Sequence, residues 1–487
     1  MPVVLRSLAV VVLALSGAVG VTVPLTLTTA VQLAATALIM GGTEHPLTYP
    51  PDTTELVTGY LNDAQRGYIV YTPAGKESDL NEVAVITPEQ GAPVYGTMTL
   101  DQSVQAGRTI LTNCLGGRND CPYNTAVAGS QAPRPGDSFI VVGYSQSTLL
   151  ASLVKQDLIN NPSETPAGGV TFILIANPMR PNGGVLTRFP ELNIPVVGVK
   201  SYGASPTNSP DNTLLTIDVS RQYDGFSDFP VYPLNLIADA NAIAGAIYLH
   251  GGYMDYSLDD AVYQGTTGDT DYYIVPTDTL PLLIPLQQAG VPQPVVAALD
   301  APLRVIVEWG YNRSMPPGVP TQAHLIPLSN PVTDLASLAR SIPVGIDDGF
   351  QAAGAGRPLG TKPADFYGVG VSTAPAPGST PNIGVNVPAQ KTSQTKELQS
   401  SASTPVQPGL EPQPTPMSGV AMPAAPANRG PMKFTPSKPL ADKPCGGDGS
   451  IKRVSTPPTP GQRPPKVETD SGSKTHSAPK PGDSSTS

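Results

Sequence analysis

Residue types first suggest chemistry at Gly143-Tyr144-Ser145-Gln146-Ser147. An apolar run, residues 138–142 (SFIVV), precedes these five, and a helically spaced stretch follows them. A serine with small neighbours two positions away on each side, set between a strand and a helix, fits a nucleophile elbow. Such a corner lifts Ser145 Oγ above the carboxyl edge of a sheet. It also aims backbone N–H groups of the helix start at the same point, which makes Gln146 N–H a candidate oxyanion donor. G-x-S-x-S alone is common by chance, so the flanking strand and helix carry the reading.

A serine needs a base to become a nucleophile. The chain has four histidines, His45, His250, His324 and His476. In elbow enzymes of this type the acid and then the histidine follow the serine, which leaves His250 and His324. His250 lies in YLHGGY, where a helical stretch, residues 234–247, breaks at two glycines. That places it on a loop able to face a cleft. His324 follows a Pro-rich run, and the bland reading of either is a histidine satisfied by a backbone carbonyl. The preferred base is His250. For the acid, the strand-like run 214–219 leads to Asp224, beside Gly225, and to Asp228 four residues on. Asp224 is preferred and Asp228 stays open. The second oxyanion donor is expected from the loop Gly41-Gly42-Thr43 after an early strand, with the Thr43 hydroxyl adding a bond. An ordinary glycine turn is the alternative there.

Apolar runs at 31–40, 138–142, 170–176 and 214–219, with helical spacing over 146–160, predict an α/β domain with a mostly parallel sheet. Residues 303–308, before Trp309, read as a further strand. The run 280–286 (LPLLIPL) is rich in leucine. Leu282, Leu283 and Leu286, with Tyr144, are expected to line an acyl groove or a lid, core packing being the alternative.

Three regions emerge. Residues 1–30 hold one early charge, Arg6, then an apolar stretch with small residues spaced as at a cleavage site. They read as a secretory signal peptide, a retained membrane anchor being the rival. Residues 31–370 have globular composition. Residues 371–487 contain 22 prolines and one aromatic residue, Phe434, and read as a disordered Pro/Ser/Thr-rich tail.

Charge excludes one class of function. Residues 391–487 carry 12 Lys+Arg against 7 Asp+Glu, which leaves 16 against 31 in residues 1–390. An acidic body is a poor partner for nucleic acid. None of the three cysteines lies in C-x-x-C, and no Cys/His cluster has zinc spacing, so neither metal nor organic cofactor is expected. Cys114 and Cys121, across a Gly-containing loop, suit a small disulfide in an oxidising compartment and leave Cys445 over.

Five stretches together resemble the PE-PPE domain, an α/β serine-hydrolase module of mycobacterial envelope proteins. They are residues 38–46 (LIMGGTEHP), 141–147 (VVGYSQS), 176–184 (ANPMRPNGG), 223–239 (YDGFSDFPVYPLNLIAD) and 248–253 (YLHGGY). The resemblance runs over about residues 31–330, roughly 60% of the chain. The GYSQ elbow and the His250–Tyr253 segment are also similar to those of cutinases. The resemblance implies an α/β-hydrolase fold, a Ser145–Asp224–His250 triad and a fatty-acyl ester substrate. No PE or PPE helical module is seen ahead of the domain. Some relatives of this layout transfer acyl groups onto trehalose glycolipids. Three functions are therefore expected in this order: an exported esterase or lipase, an acyltransferase with a glycolipid acceptor, and a non-catalytic envelope structural protein. The expected location is the cell envelope or cell wall or the exterior, with membrane or cell-wall association.

Overall fold

The computed structural model describes residues 35–325, 330–371 and 373. The expected signal or anchor over residues 1–30, and all but the first residues of the expected tail, lie outside the described residues. So does Cys445.

Seven strands form the central sheet: β1 (Ala35–Ile39), β2 (Asn81–Ala84), β3 (Ser138–Tyr144), β4 (Val170–Ile175), β5 (Thr216–Arg221), β6 (Val262–Thr267) and β7 (Thr270–Val275). Their order is β2-β1-β3-β4-β5-β7-β6. All neighbours pair in parallel except β6, which runs antiparallel to β7 along one edge. The sheet is thus of the α/β, mostly parallel class.

Continuous Val/Ile/Leu runs form these strands because both faces of the sheet are covered. Ile140 and Val142 pack on one side with Val57 and Leu61 of helix α1 (Thr54–Gly67). Phe139 and Val141 pack on the other with Val104 and Leu111 of α2 (Leu100–Leu115) and Leu150 and Val154 of α3 (Gln146–Asn160). Cys114, in the last turn of α2, forms a disulfide with Cys121 and closes the loop behind that helix.

From β1 the chain goes outward to β2, then returns past β1 to β3 and continues the other way. This reversal between β1 and β3 opens a crevice at their carboxyl ends, where open α/β sheets bind ligands. The loop holding Gly42 leaves β1 there, and Ser145 leaves β3.

Two expectations need correction. Residues 303–308 are the last turns of a helix, α5 (Gln293–Glu308), not a strand. A short apolar run cannot separate the two by periodicity alone, and Pro292 and Pro294 at the helix start were the better signal. Part of the run 280–286 follows the core alternative rather than the groove, while Leu286 stays exposed. Leu280 and Leu283 are buried with Tyr223, Ala238, Val296 and Val307, between α5 and α4 (Leu236–Tyr248).

Candidate active site

β3 ends at Tyr144, and Ser145 turns the chain with φ 54° and ψ −111°. A positive φ on a residue with a side chain costs on the order of 1–3 kcal/mol and persists only when its surroundings hold it. Here Ser145 N–H donates to the Ile175 carbonyl (2.9 Å) and Thr148 Oγ1 donates to the Ser145 carbonyl (2.6 Å). Ser147 Oγ accepts from Tyr144 N–H (2.8 Å). Gly143 is needed because a side-chain carbon there would press on the Ser147 carbonyl at 3.0 Å. Ser145 caps α3 without a side-chain bond to it. Its Oγ instead lies 2.7 Å from His250 Nε2.

His250 opens a 3-10 turn, His250–Asp255, directly after α4. Its Nδ1 is 2.9 Å from Asp224 Oδ2. Asp224 sits in the turn after β5 and is fully buried. Tyr253 Oη (2.7 Å) and Ser227 Oγ (3.0 Å) also donate to Oδ2, and Phe226 N–H (3.0 Å) donates to Oδ1. Burial alone would push this carboxyl up. The neighbouring His250 and these donors outweigh burial and hold it below its ordinary value. Tyr253 is anchored in turn, its hydroxyl accepting from Arg221 N–H (2.7 Å) and its carbonyl from Tyr68 Oη (2.6 Å). Tyr144 Oη donates to the His250 carbonyl, and the Phe226 ring lies 4.4 Å from the imidazole. α4 lies flush on the acid-bearing turn, because a methyl group at Gly245 would overlap the Tyr223 carbonyl oxygen.

The open alternatives lie elsewhere. Asp228 accepts from Tyr223 N–H and pairs with Arg313 through 2.7 and 3.1 Å contacts. His324 is exposed, and its N–H donates to the Val231 carbonyl. Neither reaches Ser145 or His250 by any hydrogen bond among the described residues.

The Gly42 loop lies against the nucleophile: a side-chain carbon on Gly42 would come within 3.3 Å of Ser145 Cβ. Thr43 differs from its expected role. Its hydroxyl donates to Gln146 Oε1 (2.8 Å), and Gln146 Nε2 donates to Ser103 Oγ (2.7 Å). That hydroxyl therefore ties the loop to α3 instead of facing an oxyanion. The backbone N–H groups of Thr43 and Gln146 have no hydrogen-bond partner among the described residues, which leaves both available as donors.

An apolar cavity of about 130 Å³ has Gly42, Leu47, Leu56, Tyr60, Tyr144 and Met254 in its wall, together with Gly251, so it reaches the chain neighbours of Ser145 and His250. Tyr144 was expected there. Leu282, Leu283 and Leu286 do not line it; the walls come from α1 and the 250–255 turn. The alternation of Leu56 and Tyr60 with Val57, Leu61 and Ala64 along 54–67 was the missed signal, one face lining the cavity and the other entering the core. His45 also borders this cavity, its Nδ1 2.7 Å from Asp52 Oδ1. A second cavity, about 220 Å³, lies around Arg180, Arg188 and Arg313, away from the chain neighbours of Ser145 and His250. Among the described residues no His/Cys/Asp/Glu group could hold a metal ion.

A strained serine after β3, an acid after β5 and a histidine after α4, on a parallel sheet reversing between β1 and β3, define an α/β domain laid out like a serine hydrolase. The comparison with known families agrees: the PE-PPE domain model matches residues 78–312. The match begins after β1 and the Gly42 loop, although both belong to the same sheet and site. Curated relatives from Mycobacterium tuberculosis (strain ATCC 25618 / H37Rv) include the uncharacterized PPE family protein PPE28, 34% identical over 64% of this chain and 45% of the relative. Esterase PE16 is 32% identical over 68% of this chain and 65% of its own length. SL1278 acyltransferase Chp1 is 30% identical over 59% of this chain and 66% of its own. The chain thus spans between 45% and 66% of the length of these relatives.

Proposed function

We propose that this protein is an exported serine esterase that cleaves fatty-acyl esters through an acyl-serine intermediate. The observation that carries the reading is the continuous relay from Ser145 Oγ through His250 to Asp224. As Oγ bonds to the ester carbonyl carbon, its proton passes to His250 Nε2. Asp224 fixes the imidazole by its Nδ1–H and stabilises the imidazolium that forms. The carbonyl oxygen gains negative charge and is met by the N–H groups of Thr43 and Gln146. His250 returns the proton to the alcohol oxygen as the ester C–O bond breaks. Water then attacks the acyl-serine, gives one proton to His250, and releases the acid as Ser145 regains its hydrogen. The apolar cavity would take the hydrocarbon of the acyl group. The names of two relatives, esterase PE16 and SL1278 acyltransferase Chp1, support acyl-ester chemistry.

The second reading keeps every step and replaces water by a sugar hydroxyl, so that the acyl group moves onto a trehalose-type glycolipid. It is favoured by the relatives named SL1278 acyltransferase Chp1 and diacyltrehalose acyltransferase Chp2. In either case the cell envelope is the proposed place of work. Wild-type protein should hydrolyse p-nitrophenyl acyl esters and react with a fluorophosphonate probe, and Ser145→Ala should do neither. An unreactive Ser145 in folded protein would instead support a structural envelope role. Adding trehalose or an acyltrehalose separates the first two readings: new glycolipid ester formed at the expense of free acid means transfer.

A further inference from the structure

Helix α4 ends two residues before His250 and carries one charge in thirteen residues, at Asp239 (LIADANAIAGAIY). Ala238, Asn241, Ala242, Ala244 and Gly245 face the protein. The outward positions Leu236, Ala240, Ile243 and Ile247 repeat at three- and four-residue spacing, which puts them on one side of the helix. Leu236, Ile243 and Ile247 are 74%, 59% and 68% exposed. A helix on a protein surface ordinarily turns polar residues to water. This one turns leucine and isoleucine.

We infer that the outer face of α4 docks onto the hydrocarbon of a lipid surface and so brings acyl esters to Ser145. The inference rests on the esterase reading above. Two observations select a lipid layer over a protein. First, one unbroken segment, residues 236–255, carries the exposed apolar face, the His250 base and part of the cavity wall at Gly251, Gly252 and Met254. Phe226, 40% exposed and 4.4 Å from the imidazole, extends the apolar surface to the site itself. A protein seated here would cover the site, whereas a lipid layer would present acyl chains to it. Second, neither α4 nor the 250–255 turn has a lysine or arginine, and the chain is formally −10. Attachment is therefore hydrophobic, toward an uncharged or zwitterionic layer, and insensitive to salt. Helix α4 is thirteen residues long and buries its Ala238, Asn241, Ala242, Ala244 and Gly245 side in the protein, so the contact is lateral.

The test uses the full chain, phosphatidylcholine vesicles and the triple variant Leu236→Gln/Ile243→Gln/Ile247→Gln. Wild type and Ser145→Ala should float with the vesicles in low and high salt, and the triple variant should bind at least tenfold more weakly. The same variant should hydrolyse a water-soluble short-chain ester within twofold of wild type, which also shows that it is folded. On an emulsified long-chain ester it should be at least tenfold slower. Equal flotation of triple variant and wild type overturns the inference. So does equal slowing on both esters, or a wild-type dimer that the triple variant dissociates, since the face then binds a second copy. A wild type that floats through this face but turns over no ester upholds the docking and refutes the esterase reading.

Discussion

Among the described residues are two histidine–aspartate pairs of nearly the same length, His250 with Asp224 at 2.9 Å and His45 with Asp52 at 2.7 Å. Both carboxylates are buried. What differs is the company each pair keeps. The far nitrogen of His250 meets the hydroxyl of a strained serine, and Asp224 gathers three further donors from Tyr253, Ser227 and Phe226. Asp52 spends its second oxygen on Leu47 N–H (2.8 Å), which pins the loop after β1 where Leu47 takes a positive φ. A His–Asp contact is therefore no signature of a base. One pair has a serine hydroxyl against its far nitrogen, the geometry of the proposed relay; the other ties down a loop.

The largest effects should come from the first pair. His250→Ala should lower kcat by about 10⁵–10⁶-fold and Asp224→Asn by about 10⁴-fold, measured on a soluble chromogenic ester. A loss under tenfold in either would dissolve the distinction. Tyr253→Phe comes next. It removes one donor to Asp224, so about a tenfold drop in kcat is expected, on the order of 1.4 kcal/mol. The donors hold the Asp224 carboxyl down, so losing one raises it. The acid limb of kcat/KM should therefore move to higher pH, a change that a merely structural tyrosine would not make.

Beneath the His45 loop lies Glu89, whose carbonyl accepts from Glu44 N–H (3.0 Å). Burial pushes its carboxyl up to about 8 from 4.5, against the opposing Thr87 hydroxyl. The native state thus holds a proton that the unfolded chain has lost, and stability falls as pH rises from about 4.5 through about 8. Glu89→Gln should raise Tm by a few degrees above pH 8 and change it little below 4.5, as read by calorimetry. An unchanged Tm at pH 9 would refute this. His45→Ala should have the smallest effect on turnover, under about threefold, because its partner Asp52 is tied to Leu47 N–H and the pair stands outside the proposed Ser145–His250–Asp224 relay. A loss of 10³-fold would give the second pair a chemical role after all.

The two regions also differ in how far sequence revealed them. Residues 138–160 read correctly because strand, corner and helix are local: small residues at 143 and 147, an apolar run before and helical spacing after. The helix over 146–160 matches its expected bounds. The choice between Asp224 and Asp228 was not local. Both are buried and both accept hydrogen bonds in one turn, and only the side chain facing each tells them apart, His250 for one and Arg313, 85 residues on, for the other. The cavity wall was missed for the same reason: α1 lies far from Ser145 in sequence and reaches it only through the crossing between β1 and β3. The leucines at 280–286 misled because an apolar run does not state which apolar surface it joins. Fold class and family were legible, since patterning and five separate stretches agreed.

The closeness of helix and turn at Gly245 has a mechanical consequence. With no methyl-sized gap between them, the acid-bearing turn and the helix that delivers His250 cannot slide closer together. The 2.7 Å step between imidazole and hydroxyl therefore depends on where that helix sits. Whatever tilts helix 236–248 sets the gap across which the proton must jump.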